Sequence, residues 1–250
     1  MKIGILETGR PPEPLAAAHG DYAAMFARLI GAAEPSFTFR NFAVLDGELP
    51  ETPDGCDGWI VSGSRFGVYD RLRWMEDLKE FLRRAVEARV PVVGICFGHQ
   101  ILAEAFGGRV VKSDKGWGVG PHTYEVTATE AWMQPPLRTF TLNAMHQDQI
   151  DALPEGARLL ASSPFCRYAA LAYDDAAISI QPHPEFDNAY EAAILERRRG
   201  TLIPEDCADR ALAAMNGAAE APDATAVAHW IANFLKQAAT QRAAAPSLNQ

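Results

Sequence analysis

Cys96 sits between two glycines in Gly94-Ile95-Cys96-Phe97-Gly98. The run before it, Val90 to Ile95, is β-branched and uncharged, with Pro91 near its start. That composition suits a strand buried on both faces of a parallel sheet. From His99 to Phe106 the apolar residues recur at helical spacing and stop at Gly107-Gly108, a helix terminator. Cys96 therefore falls on a sharp strand-to-helix turn, spaced like the serine of a G-x-S-x-G nucleophile elbow. On such a turn the sulfur faces the N-terminal end of a helix, which favours thiolate. The Phe97 amide is then placed to receive an oxyanion. A buried structural cysteine on an ordinary βα turn would carry the same five residues.

A second segment weighs against that plainer reading. Ala177 to Ile180 is another apolar strand, and it ends in Gln181-Pro182-His183-Pro184-Glu185. A cysteine nucleophile needs a base beside it and a carboxylate to orient that base. His183 and Glu185 follow a strand end, where open α/β sheets gather their sites. Pro182 and Pro184 stiffen the segment and fix the direction of the imidazole. Alone, His-Pro-Glu would read as a solvated loop.

Together the two segments resemble the class I (triad) glutamine amidotransferases, whose signature is G-x-C-x-G-x-Q followed far downstream by H-P-E. Here these are Gly94 to Gln100 and His183-Pro184-Glu185. The resemblance is nearest to the amidotransferase domain of GMP synthase and its free-standing relatives, and it covers roughly residues 1 to 190. It implies a Cys96, His183, Glu185 triad that cleaves the γ-amide of glutamine or of a γ-glutamyl compound. It also implies a flavodoxin-like α/β fold, with a mostly parallel sheet flanked by helices on both faces and no cofactor.

Two further motifs gain meaning from this resemblance. Ser62-Gly63-Ser64-Arg65 follows a short strand, Gly58 to Val61, where the family commonly shows S-G-G-P. The Ser64 amide would be the second oxyanion donor, with Gly63 beside it. A backbone donor needs no particular side chain, so Ser64 in place of glycine preserves that role. His146-Gln147-Asp148 ends another strand and resembles the family's loop at the bound glutamine. Backbone groups around Gln147 and Asp148 would hold the substrate's α-amino and α-carboxylate groups, assisted by the Gln100 side chain. His146 is either part of that binding site or a satisfied core histidine.

The rest of the chain must position these residues. Lys2 to Leu6 reads as the first strand and Asp21 to Ile30 as a helix with one apolar stripe. Ser36 to Val44 alternates like a strand, and Trp74 to Val86 is strongly helical. A βαβ order of this kind argues a parallel sheet with helices on both faces. Beyond Gly108 the glycine-punctuated segment to Ala128 suggests a small antiparallel extension. Asp187 to Arg199, Pro204 to Met215 and Thr225 to Ala239 read as helices extending the core, and 240–250 as a disordered tail. Arg197-Arg198-Arg199 reads as a solvated helix end, with phosphate binding as a remote alternative.

With 250 residues, 48% of them hydrophobic, the chain can bury a sizeable core. Its net charge of −9 disfavours a nucleic-acid backbone as partner. No apolar run reaches membrane-spanning length, and Met1 leads straight into a strand without a signal-peptide pattern. The four cysteines are widely spaced, without C-x-x-C, which suggests neither zinc nor disulfides. A reducing cytoplasm is expected. There is no phosphate loop of the kind an ATP-dependent synthetase needs. Three readings stand: a glutaminase serving a synthetase partner, an autonomous γ-glutamyl hydrolase, or a non-catalytic binding protein on the same fold.

Overall fold

The computed structural model describes residues 1–217 and 222–244. Five strands run parallel at the centre: β1 (Lys2–Glu7), β2 (Thr38–Ala43), β3 (Gly58–Val61), β4 (Val92–Ile95) and β11 (Ala177–Ile180). An antiparallel wing continues the same sheet through β10 (Ala170–Tyr173), β9 (Ala157–Ser162), β6 (Gly118–Val126) and β7 (Thr139–His146). The spatial order is β2-β1-β3-β4-β11-β10-β9-β6-β7. A separate ribbon pairs β5 (Arg109–Lys112) with β8 (Asp148–Ala152). The expected parallel sheet with an antiparallel extension is present. β4 and β11, which carry Cys96 and His183 at their ends, lie side by side with Ile95 opposite Ile180.

Period-2 alternation splits the central strands between two cores. Ile3, Ile5, Ile60, Val93, Ile95 and Ile178 face one layer, with α2 (Tyr22–Ala33) and α7 (Ala224–Ala244) packed on it. Leu6, Trp59, Val61 and Val92 face the other, which holds α3 (Arg73–Glu87) and α4 (Phe97–Ala105). Helices thus cover both faces, as a mostly parallel sheet requires. A third apolar cluster joins α5 (Asn188–Arg198) and α6 (Glu205–Gly217) to β6 and β7.

Local chemistry sets several helix starts. Asp21 caps α2 by accepting the Ala24 N–H at 2.7 Å, and Asp187 caps α5 by accepting the Tyr190 N–H at 2.7 Å. The sequence reading missed α1 (Glu13–His19), whose residues are all at least partly exposed and which follows two prolines. It also ended the last helix too early. Residues 240–244 belong to α7, and the tail expected beyond them lies outside the described residues. α7 is no appendage, because Val227, Trp230, Ile231, Phe234 and Leu235 are buried in the main core. Among the described residues no helix is long and apolar enough to cross a membrane.

Candidate active site

Cys96 occupies the one-residue gap between β4 and α4, with φ 53° and ψ −102°. A side chain held at positive φ is strained, and the neighbours enforce it. The Cys96 N–H donates to the Ile180 carbonyl at 2.9 Å, and the Gln100 N–H donates to the Cys96 carbonyl at 3.1 Å. The flanking glycines are steric necessities. A Cβ on Gly94 would lie 2.4 Å from the Gly98 carbonyl oxygen, and one on Gly98 would lie 2.4 Å from that of Val61. Phe97 opens α4, so its N–H is one of the first-turn donors without a helical acceptor.

His183 is held from three sides. Its N–H donates to the Asn143 carbonyl at 2.8 Å, which ties the segment after β11 to β7. Its ring stacks on Phe186 with centroids 3.9 Å apart and planes 7° off parallel. Its Nδ1–H donates to Glu185 Oε1 at 2.7 Å, which leaves Nε2 as the nitrogen available to Cys96. Burial alone would push the imidazole toward its neutral form. The Cys96 sulfur and the Glu185 carboxylate together outweigh burial and hold its pKa well above 6.5. Cys96 and His183 line one small recess of about 20 Å³. Gly63 completes the pocket, since a Cβ there would meet His183 Cε1 at 2.8 Å and Cys96 Cβ at 3.7 Å.

The Gly63-Ser64 turn is anchored from below. The Thr8 N–H donates to Ser62 Oγ at 2.9 Å, and the Thr8 hydroxyl donates to the Ser62 carbonyl at 2.9 Å. These ties join the ends of β1 and β3. Ser64 borders Cys96 in both the recess and the larger cleft beside it.

That cleft encloses about 370 Å³ and runs from Cys96 past Gln100 and His146 to Asp148. Gln100, Gln147 and Asp148 line it, but much of their polar capacity is already used. Gln100 Nε2 donates to the Asp148 carbonyl at 3.0 Å and to Gln181 Oε1 at 3.1 Å. Gln100 thus ties the loop to the elbow, where the sequence reading had its side chain turned to substrate. The Asp148 carbonyl also accepts from His146 Nδ1 at 3.1 Å, and the Gln147 carbonyl accepts the Ser113 N–H at 3.2 Å. His146 Nε2 is buried without a partner among the described residues. Burial pushes the His146 pKa down to about 3, so the ring is neutral. His146 is therefore both a buried histidine and a wall of the cleft.

Several contributors escaped the sequence reading. Asn143 Nδ2 donates to the Phe186 carbonyl at 3.0 Å and to Asn188 Oδ1 at 3.1 Å, fixing the turn that carries Glu185. Tyr69 OH donates to Asp148 Oδ1 at 2.9 Å across the cleft. Arg198, read as part of a solvated run, borders both the recess and the cleft. None of these carries a local motif, because each acts through a contact made only in the folded chain.

Burial pushes the Cys166 thiol up to about 12 and raises those of Cys56 and Cys207. All four cysteines are free. Among the described residues no three His, Cys, Asp or Glu side chains cluster so as to hold a metal ion.

A strained Cys elbow, a His-Glu pair and this sheet order define a triad amidohydrolase on an α/β scaffold. The sequence profile of the glutamine amidotransferase class-I family matches residues 37–198. The chain belongs to that family. It is 31% identical over 228 residues to gamma-glutamyl peptidase 5 of Arabidopsis thaliana, covering 88% of this chain and 89% of that protein. To a glutamine-hydrolysing GMP synthase of Thermomicrobium roseum it is 37% identical over 128 residues, 51% of this chain but 23% of that one. Its fold is similar to a crystal structure of a glutamine amidotransferase from Thermotoga maritima, with TM-score 0.74, 18% identity, and 96% and 98% of the two chains covered.

Proposed function

We propose that the chain hydrolyses the γ-amide of glutamine or of a γ-glutamyl compound through a γ-glutamyl thioester on Cys96. The carrying observation is the pairing of a Cys96 held at φ 53° with a His183 that shares its recess and donates Nδ1–H to Glu185 at 2.7 Å. His183 Nε2 takes the thiol proton, and Sγ attacks the amide carbon. The oxyanion is received by the N–H groups of Phe97 and Ser64. Collapse breaks the C–N bond while His183 passes its proton to the departing nitrogen, releasing ammonia or an amine. Water then gives a proton to His183 and adds to the thioester. The second collapse releases glutamate and returns the proton to sulfur. Glu185 orients the ring and offsets the charge it gains.

Autonomy is the favoured form of this reading. The likeness to the Arabidopsis peptidase extends over 88% of the chain, whereas the likeness to GMP synthase stops at 51%. The second reading, a glutaminase serving a synthetase partner, predicts weak turnover by the lone chain and a rise when a partner binds. The isolated protein, assayed without ATP on glutamine and a panel of γ-glutamyl amides, should release glutamate. An electrophilic glutamine analogue should label Cys96 and spare Cys56, Cys166 and Cys207. Cys96→Ala and His183→Ala should each abolish turnover, since nucleophile and base act as a unit. Labelling at another cysteine, or an active Cys96→Ala, would refute the assignment.

A further inference from the structure

The departing nitrogen takes its proton from His183, so the leaving group must lie on the His183 side of Cys96. The recess there is bordered by Arg10, Arg65 and Arg198 and, among the described residues, by no carboxylate. In a chain of net charge −9 that local excess of cations runs against the whole. Arg10 is neutralised by its ion pairs with Asp46 and Glu7. Arg65 and Arg198 have no carboxylate at ion-pair distance among the described residues. The contrast within the basic run is sharp. Arg199 is committed to Glu205 at 3.1 Å and Asp209 at 2.6 Å, while Arg198 turns to the site.

The surrounding acids do not supply the missing counter-charge. Glu191, whose charge is felt at Arg198, is buried behind the triad, with Oε1 accepting the Gly120 N–H at 3.0 Å. Burial pushes its carboxyl up to about 7, so near neutrality it carries only about half of its charge, and it makes no ion pair with Arg198. Asp70 and Asp148 border the wider cleft but not the recess, and Asp148 is engaged by Tyr69. Arg65 and Arg198 border that cleft as well, so a group longer than the recess stays within their reach. A guanidinium offers two parallel donors that match a carboxylate.

We propose that Arg65 and Arg198 form an anion subsite for the leaving-group half of the substrate, making γ-glutamyl amides of carboxylate-bearing amines, such as γ-glutamyl amino acids, preferred over glutamine and neutral γ-glutamyl amides. This rests on Cys96 being the nucleophile of the proposed hydrolysis. The reaction consumes one water and yields glutamate and the free amino acid.

The test uses matched pairs: γ-glutamylglycine and γ-glutamyl-β-alanine, each against its own carboxamide. In at least one pair kcat/KM should favour the acid by about tenfold or more, the effect of one charge-assisted contact. The preference should shrink with added salt, because both arginines are at least partly exposed. Arg198→Gln and Arg65→Gln should each pull the ratio toward one, and Arg198→Lys should retain part of it. A ratio within a pair cancels any loss common to both members, so a partly misfolded variant cannot imitate this. Acid and amide turned over alike by the wild type overturn the subsite, as does a ratio that neither glutamine variant changes. If Arg198→Gln slows both members and glutamine equally, Arg198 holds the glutamyl carboxylate and the inference is wrong. If no γ-glutamyl compound reacts and the glutamine analogue leaves Cys96 unlabelled, the hydrolysis itself fails and the subsite falls with it. Labelled Cys96 with equal ratios fails the subsite alone.

Discussion

Gly63 has no room for a side chain beside His183. Its missing side chain would come 2.8 Å from His183 Cε1, a distance that forces the ring or the turn to move. Gly63→Ala should therefore lower kcat by at least about tenfold, since misplacing a catalytic group by about 1 Å can cost 10²-fold. Circular dichroism should remain that of the wild type, because the site is a turn and no element is broken. An alanine variant with wild-type kcat would mean that His183 does not work from this position. His183 itself offers a second test. Its pKa is raised, so the stability it contributes is complete below about 6.5 and is lost as pH rises through the folded value. Glu185→Gln removes one of the two groups that raise it. The His183 titration, followed by the Cε1–H chemical shift, should move about one to three pH units lower. Turnover should fall but persist, since orientation is disturbed while the reacting groups remain. An unmoved titration would detach Glu185 from its assigned role.

At the scale of elements, the elbow was legible because several local rules agree between Val90 and Gly108. A β-branched run, two close glycines and a helical pattern with a glycine stop leave one conformation for Cys96. His183 was legible for the same reason, as a polar triplet at the end of a short apolar strand. The contacts that hold these segments were not legible. Asn143 lies in β7, 40 residues before His183 in the chain, and meets it only through an isolated bridge between β7 and the segment after β11. α7 shows the same limit, since periodicity announces the helix but not its place. Its position against α2 makes it one layer of the main core. Phe234 is buried there, with its ring 5.7 Å from Trp132 in an edge-on contact. Phe234→Ala should thus cost about 3–5 kcal/mol, as a buried phenylalanine does. Urea unfolding is the measurement, and a loss under about 1 kcal/mol would return α7 to the status of an extension.

At the scale of the whole molecule, fold class follows from the order of strand and helix patterns, and the triad from two motifs. The charge layout does not, because it depends on which long side chains converge. The sequence shows an acidic chain with a basic helix end, yet folding places Arg198 at the catalytic recess and buries Glu191 behind it. Glu191 faces the Gly120 N–H from β6, with His183, Glu185 and Arg198 as the charges it feels. Burial dominates these influences and pushes its carboxyl up to about 7 from an ordinary 4.5. The folded protein therefore keeps a proton there that the unfolded chain gives up. The contribution is fully present below about 4.5 and is lost as pH rises through about 7. A difference of that size corresponds to a loss on the order of 3 kcal/mol. Glu191→Gln can still accept the Gly120 N–H but has no proton to lose. Its unfolding free energy relative to wild type should rise with pH, by about 2–3 kcal/mol between pH 4.5 and pH 8. The His183 contribution falls in both chains as pH rises through its own raised value, so apart from its coupling to Glu191 it cancels in the difference. Urea denaturation of the two proteins at intervals across that range reads the effect, and a difference that stays flat would mean that Glu191 titrates as an ordinary surface carboxylate.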